Sequence, residues 1–302
     1  MSEFSIMFVS DICGKAGRQA AAHMIKPMRE KHSIDYVIAN VENAAGGFGI
    51  TPEMARKAIS YGIDIQTSGN HIWDRHEIRS YIKTDGQLLR PANFPRGVPG
   101  RGGCIEKIGD VKVGVINLQG RTYMKDIDCP FVEGGRIVSE MRREADIILI
   151  DMHAEATSEK QAMLYWLDGE VTAIIGTHTH VQTADEQISK KGTAYITDTG
   201  MTGPYDSVIG MEKEPSLQRF LTGMPYRFTT ASDDIRMAGV IIRANPVTGK
   251  AISIERFCEK FDLDTFKPED ITGKPKEQPS EEQPVADESD ADETSADEST
   301  EE

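Results

Sequence analysis

The stretch VTAIIGTHTH, residues 171–180, sets an apolar run directly before two histidines two positions apart. Its first part has the Val, Ile and Ala content of a strand buried on both faces. In an extended chain, side chains at i and i+2 point the same way, so His178 and His180 are expected to aim at one common point. In open α/β sheets ligands sit outside the carboxyl ends of strands. The question is then what else the chain brings to that end.

Working outward, strand-like runs recur at SIMFVSD (5–11), DYVIANVE (35–42), IDIQTSG (63–69), VKVGVINLQG (111–120), DIILIDMH (146–153) and TAYITD (193–198). Helical patterns separate several of them. Residues 15–32 place Ala20, Met24 and Met28 on one stripe. Residues 51–62 open with Thr51 as cap and Pro52 at the first helical position, and Gly62 follows the end. Residues 157–169 repeat the scheme with Thr157 or Ser158 as cap and Gly169 as stop. Apolar strands alternating with helices predict an α/β protein whose sheets are covered. Residues 236–257 read as two strands around the turn NPVTG, which predicts a mixed rather than a purely parallel sheet.

The strand ends carry the chemistry. Asp11 ends the first, Glu42 and Asn43 the second, and Asn70 and His71 follow the third. His153 ends the fifth, and His178 and His180 follow the sixth. Singly, each has a plain alternative: Asp11 as a helix cap, Asn70 as a turn residue, His153 as a hydrogen-bonded core histidine. Together they form an oxygen and imidazole donor set that suits Fe, Mn, Co, Ni or Zn better than Ca or Mg. One open zinc site needs about three protein ligands. The candidates suffice for two ions with a bridging carboxylate, as in phosphatase and nuclease centres. His23, His32 and His76 lie in helical patterns and carry no such signal.

The 302 residues carry a net charge of −15, but twelve acids and no base lie in Glu277–Glu302, so the rest carries about −3. That tail has one Val and no aromatic residue. It cannot bury enough apolar surface to offset its ordering entropy. The expected division is an ordered domain over 1–267 and a disordered acidic tail over 268–302. No basic stripe is present to neutralise a duplex backbone. No apolar run approaches the roughly 20 residues of a membrane span. The N-terminal run is preceded by an acid and reads as a strand rather than a signal peptide, so a cytoplasmic location is expected. Cys13, Cys104, Cys129 and Cys258 form no CxxC pair, which fits a reducing compartment.

The order Asp…Glu-Asn…Gly-Asn-His…His…Gly-x-His-x-His resembles the calcineurin-like metallophosphoesterase superfamily. ENAAGG, GNHIWD, RPANFP, NLQGR, GTHTHVQTAD and ITDTGMTGPYDSVIG look like its YmdB-type subfamily of 2′,3′-cyclic-nucleotide phosphodiesterases, across roughly residues 4–260. The resemblance implies two mixed β-sheets in a sandwich flanked by helices. It implies two divalent metal ions, iron with manganese as substitute. Asp11 and His180 would hold the first and Glu42 would bridge. Asn70, His153 and His178 would hold the second, and Asn43 would ligate or support the first. His71 would be the general acid for a metal-activated hydroxide attacking a small-molecule phosphodiester. Asp74 is the carboxylate nearest in sequence to keep His71 protonated. The oligomeric state is open, and a homo-oligomer is compatible with the sequence.

The chain departs from the wider superfamily in three places. Asp-x-His at the first strand is Asp11-Ile12-Cys13, the bridging aspartate is Glu42, and the acid after Gly-Asn-His is Ile72. The first two departures match the subfamily. Cys13 reads as a small buried residue in preference to a thiolate ligand for iron. Two other classes compete: a non-catalytic metal-binding regulator, and a metal-dependent amidohydrolase, whose HxH would stand on the first strand of a barrel.

Overall fold

The computed structural model describes residues 3–262, so the acidic tail and its boundary with the ordered domain lie outside the described residues. In chain order the elements begin β1 (Phe4–Val9), β2 (Asp11–Ile12), α1 (Gly14–Lys31), β3 (Tyr36–Asn40), α2 (Pro52–Ser60), β4 (Ile65–Thr67) and α3 (Ile78–Tyr81). Then come β5 (Gly103–Ile108), β6 (Val111–Gln119), α4 (Pro130–Met141), β7 (Ile147–His153), α5 (Thr157–Leu167) and β8 (Ala173–Thr177). The last are β9 (Gln187–Ile188), β10 (Ala194–Ile196), β11 (Met201–Pro204), α6 (Lys213–Thr222), β12 (Ile235–Asn245) and β13 (Lys250–Lys260).

Two mixed sheets result. The first has the order β2-β11-β12-β1-β3-β4, with β13 also on β12; the second has the order β5-β6-β7-β8-β10-β9. In the first, β1, β3 and β4 run parallel while β12 is antiparallel to β1 and β13. In the second, β6, β7, β8 and β10 run parallel between antiparallel edges. The parallel cores come from residues whose alternation gives two apolar faces. Phe4, Ile6, Phe8, Tyr36, Ile38 and Ile65 of one sheet meet Val113, Val115, Ile147, Leu149, Ile175 and Ile196 of the other. Each large side chain buried there contributes on the order of 1.5–3 kcal/mol.

The opposite parity of the second sheet, with Ile116, Leu118, Ile148, Ile150, Met152 and Ile174, is covered by Val138 and Met141 of α4 and Met163, Leu164 and Leu167 of α5. Helix α1 packs on β11 and β12 through a buried stripe that includes Ala20, Met24 and Met28. The layers are therefore helix, sheet, sheet, helix, as expected. An amidohydrolase barrel is ruled out, since the HTH stretch follows β8 of a two-sheet sandwich.

Several local expectations change. The first strand breaks at Ser10: its N–H reaches Ala238 O and its hydroxyl reaches Thr199 O, and β2 pairs with β11 instead of β12. Thr51 caps α2 by accepting from Met54 N, as predicted. α5 differs, because Ala156 is its N-cap and no side chain caps it. The HTH stretch is not extended. β8 stops at Thr177, and His178 (φ 100°) and His180 (φ 64°) both have left-handed backbone. β5, β11, α4 and α6 were not expected from the sequence pattern.

Candidate metal centre

Parallel strands end on one rim, and the break at Ser10 brings Asp11 to the same place. Asp11, Glu42, Asn43, His153 and His180 are buried there. All eight residues singled out in the sequence converge.

Glu42 Oε1 lies 2.7 Å from His153 Nε2, and its Oε2 accepts the His71 N–H at 3.0 Å. Asn70 Oδ1 lies 3.2 Å from His153 Nε2, and His178 Nδ1 lies 3.1 Å from the same nitrogen. Glu42, His153 and His178 each offer one donor atom within 4.8 Å of the others. Beside this group Asn43 Oδ1 faces His180 Nε2 at 3.3 Å. Asp11 lies against the first group: its Oδ2 accepts the His178 N–H at 3.0 Å and its Oδ1 lies 3.9 Å from His153 Nδ1.

Proton bookkeeping shows what this arrangement lacks. Thr177 Oγ1 donates to Asp151 Oδ1 at 2.6 Å, so it accepts from His153 Nδ1 at 2.8 Å and leaves His153 Nε2 as the second nitrogen, facing the carboxylate. The Ile209 carbonyl, 2.9 Å from His180 Nδ1, can only accept, so His180 Nε2 is bare in the neutral ring. Asn43 donates its Nδ2 to Gly47 O at 2.8 Å, which turns Oδ1 toward that bare nitrogen. Two acceptors therefore face each other. Asp11 Oδ1 is buried with no hydrogen-bond partner at all. Acceptors gathered without donors are satisfied by a cation, and an imidazole locked by a hydrogen bond at its other nitrogen is how ligating histidines are held.

The charges agree. Burial pushes the Asp11 carboxyl well above the usual range. Burial also raises Glu42, but His153 beside it outweighs that and brings it down to about 2. Burial lowers His153, while Glu42 lifts it to about 9, so without a cation a proton does the bridging. Burial and the neighbouring His153 hold His178 down at about 3, the neutral state a ligand requires. The donor set fits two divalent ions of the nitrogen- and oxygen-loving kind. Cys13 is not part of it. Burial pushes its thiol up to about 12, and it packs where Gly203 and Gly210 leave room.

Gly69 is required by close approach. A Cβ there would overlap the His153 ring and stand 2.5 Å from Glu42 Oε2. Above the centre lies a cleft of about 440 Å³ whose polar end includes Glu42, Asn43, His71, His178 and His180. His71 Nδ1 pairs with Asp74 Oδ2 at 2.7 Å, which leaves Nε2 for whatever enters the cleft. The carboxylate anticipated three positions on is therefore in contact.

A family description for YmdB-like proteins matches residues 7–257. The chain belongs to the YmdB-like family. Among its relatives is the 2′,3′-cyclic-nucleotide 2′-phosphodiesterase of Bacillus subtilis, 45% identical over 251 residues, 83% of this chain and 95% of that protein. The crystal structure of a novel phosphatase from Mycoplasma pneumoniae superposes with a TM-score of 0.82 at 32% identity, covering 87% of this chain and 96% of the other. A hypothetical protein from Thermus thermophilus gives 0.80 at 36% identity, covering 85% and 99%.

The YmdB-like sequence also builds a support layer that strand-end reading missed. Asn40 accepts the Glu42 N–H and donates to Asp151, which also receives Thr67 and Thr177. Asp151 shares the inward parity of His153, a signal that was available. The buried Lys160–Asp198 pair (2.8 Å) holds the HTH turn, since Asp198 Oδ2 also accepts the Thr179 N–H at 3.0 Å. Nothing in the α5 pattern marks Lys160 as buried.

Proposed function

We propose that the protein is a di-metal phosphodiesterase that hydrolyses 2′,3′-cyclic nucleotides and generic phosphodiesters. The observation that carries this reading is the set of buried acceptors facing one another beneath an open cleft, with His71 and its partner Asp74 on the rim. The name of the Bacillus subtilis relative supports the substrate class.

Asp11, Asn43 and His180 would hold one ion, Asn70, His153 and His178 the other, and Glu42 would join them. When bound, two such ions neutralise phosphate oxygens and make water nucleophilic at neutral pH. Iron is the preferred metal, with manganese as substitute. The chain's own residues do the rest. Thr177 and the Ile209 carbonyl fix the imidazole orientation of His153 and His180. Asn43 and Asn70 add neutral oxygens, which keeps the site from excess negative charge. His71, oriented by Asp74, gives its proton to the leaving sugar oxygen as the ester bond breaks. A cyclic five-membered phosphate is strained and needs less of that help than a linear ester.

The test is metal analysis of freshly purified, anaerobic protein, paired with turnover of 2′,3′-cyclic AMP and bis-p-nitrophenyl phosphate with added metal and with chelator. About two ions per chain and chelator-sensitive hydrolysis are expected. Bound metal without turnover of either ester would instead identify a metal-binding regulator.

A further inference from the structure

The cleft has two unlike ends. Its outer wall, beside the metal-binding floor, is lined by Phe48, Ile209, Met211, Arg219, Phe220 and Phe228. Phe220 on α6 is 80% exposed, so its ring stands in water at the cleft mouth. The Arg219 guanidinium lies over the Phe228 ring, 5.2 Å from its centroid, and holds that ring in place. Phe48 contacts His71 edge-on with centroids 5.1 Å apart, so the aromatic wall continues to the reacting end.

A nucleotide has the same division: an anion at one end and a flat π-face at the other. The volume of about 440 Å³ lies in the range of small-molecule sites. We propose that Phe220 and Phe228 form a stacking platform for the nucleobase of the substrate. The proposal rests on the phosphodiesterase reading and names the part of the substrate that the metals do not touch.

The wall also fixes how the base is read. Ser216 is buried and donates its hydroxyl to Glu212 O, and Arg219 is engaged with a ring. No other hydrogen-bonding side chain stands among the six wall residues named. Glu155 and Thr179 also line the cleft, with Glu155 paired to His178 Nε2 at 3.1 Å, so at its aromatic end the cleft meets the face of the base, and stacking of that kind tolerates sequence. All four 2′,3′-cyclic nucleotides should bind within about fivefold of one another, purines ahead of pyrimidines for their larger stacked area.

The experiment compares Phe220→Ala and Phe228→Ala with the parent on two ligands, 2′,3′-cyclic AMP and glycerol 1,2-cyclic phosphate, which carries no base. The expected result is a KM for the nucleotide that rises roughly 5- to 100-fold more than the KM for the glycerol ester, as a lost base–aromatic stack implies. Equilibrium titration of the untreated protein with adenosine, which carries the base and no phosphate, supplies a readout free of turnover, and the same loss should appear in Kd. If the nucleotide is hydrolysed but neither variant changes its KM relative to the glycerol ester or the Kd for adenosine, the platform is wrong and the phosphodiesterase reading stands. If titration shows aromatic-dependent binding without hydrolysis, the platform stands and the phosphodiesterase reading fails. Absence of binding to the parent in titration together with equal KM values for both ligands overturns the platform. So does a variant that alters only self-association in sedimentation, because the wall then covers a second copy of the chain.

Discussion

The floor and the outer wall of the cleft are built on opposite principles. On the floor, Asp11, Glu42 and His153 are fully buried at strand ends, and a second group holds each of them by hydrogen bond or ion pair. On the wall, Phe220 stands exposed on α6, a helix whose described residues bury only Ser216. The contrast teaches where accuracy is needed. A sheet fixes donor atoms to the tolerance a metal requires, whereas a single helix carrying rings needs only to offer a flat surface.

The strongest way to break the floor is at its bridge. Glu42→Gln should lose most bound metal and nearly all activity, because a neutral amide balances two dications poorly. Elemental analysis and turnover check this together; full metal and full rate would end the two-metal reading.

The next effect separates holding a metal from giving a proton. His71→Ala should keep its metal while kcat falls by about 10²–10⁴-fold, the usual scale for a lost general acid. The fall should be smaller with p-nitrophenolate as leaving group, which departs with little protonation. His178→Ala and His180→Ala should lose metal and fail on both ester types. Equal penalties for good and poor leaving groups in His71→Ala would remove it from the acid role.

A smaller effect sharpens the comparison by touching the floor only through its support. Thr177→Val keeps the shape but cuts the link from His153 Nδ1 to Asp151. Metal affinity should weaken by about 10- to 100-fold, as for other hydrogen-bond partners of ligating histidines. Competition with a chelator of known affinity measures it, and an unchanged affinity would show that Thr177 only fills space.

Much of the floor was legible in the sequence, because Glu42, Asn70 and His153 stand just where apolar runs stop. The support layer was less so. Asn40, Thr67 and Thr177 are the last residues of β3, β4 and β8 and look like ordinary polar strand ends, and only the contact across two sheets gives them meaning. The geometry of His178 and His180 departs from the extended pattern for a physical reason. The β-branched threonines of GTHTH favour extension, but Asp11 and Asp198 capture the His178 and Thr179 N–H groups and bend the chain. α6 escaped notice because periodicity finds a buried stripe, and this helix turns its large apolar residues outward.

The bend at His178 and His180 sets thermal endurance against chemistry. A backbone at φ 100° and 64° suits glycine or asparagine, and holding other residues there costs on the order of 1–3 kcal/mol each. His178→Gly gives some of this back through its greater freedom when unfolded, about 1 kcal/mol. The inert His178→Gly chain should therefore melt no lower than the metal-free parent, as calorimetry would show. A laboratory lineage selected for heat resistance alone would drift toward glycine at this bend, and it would lose its catalyst before it lost its fold.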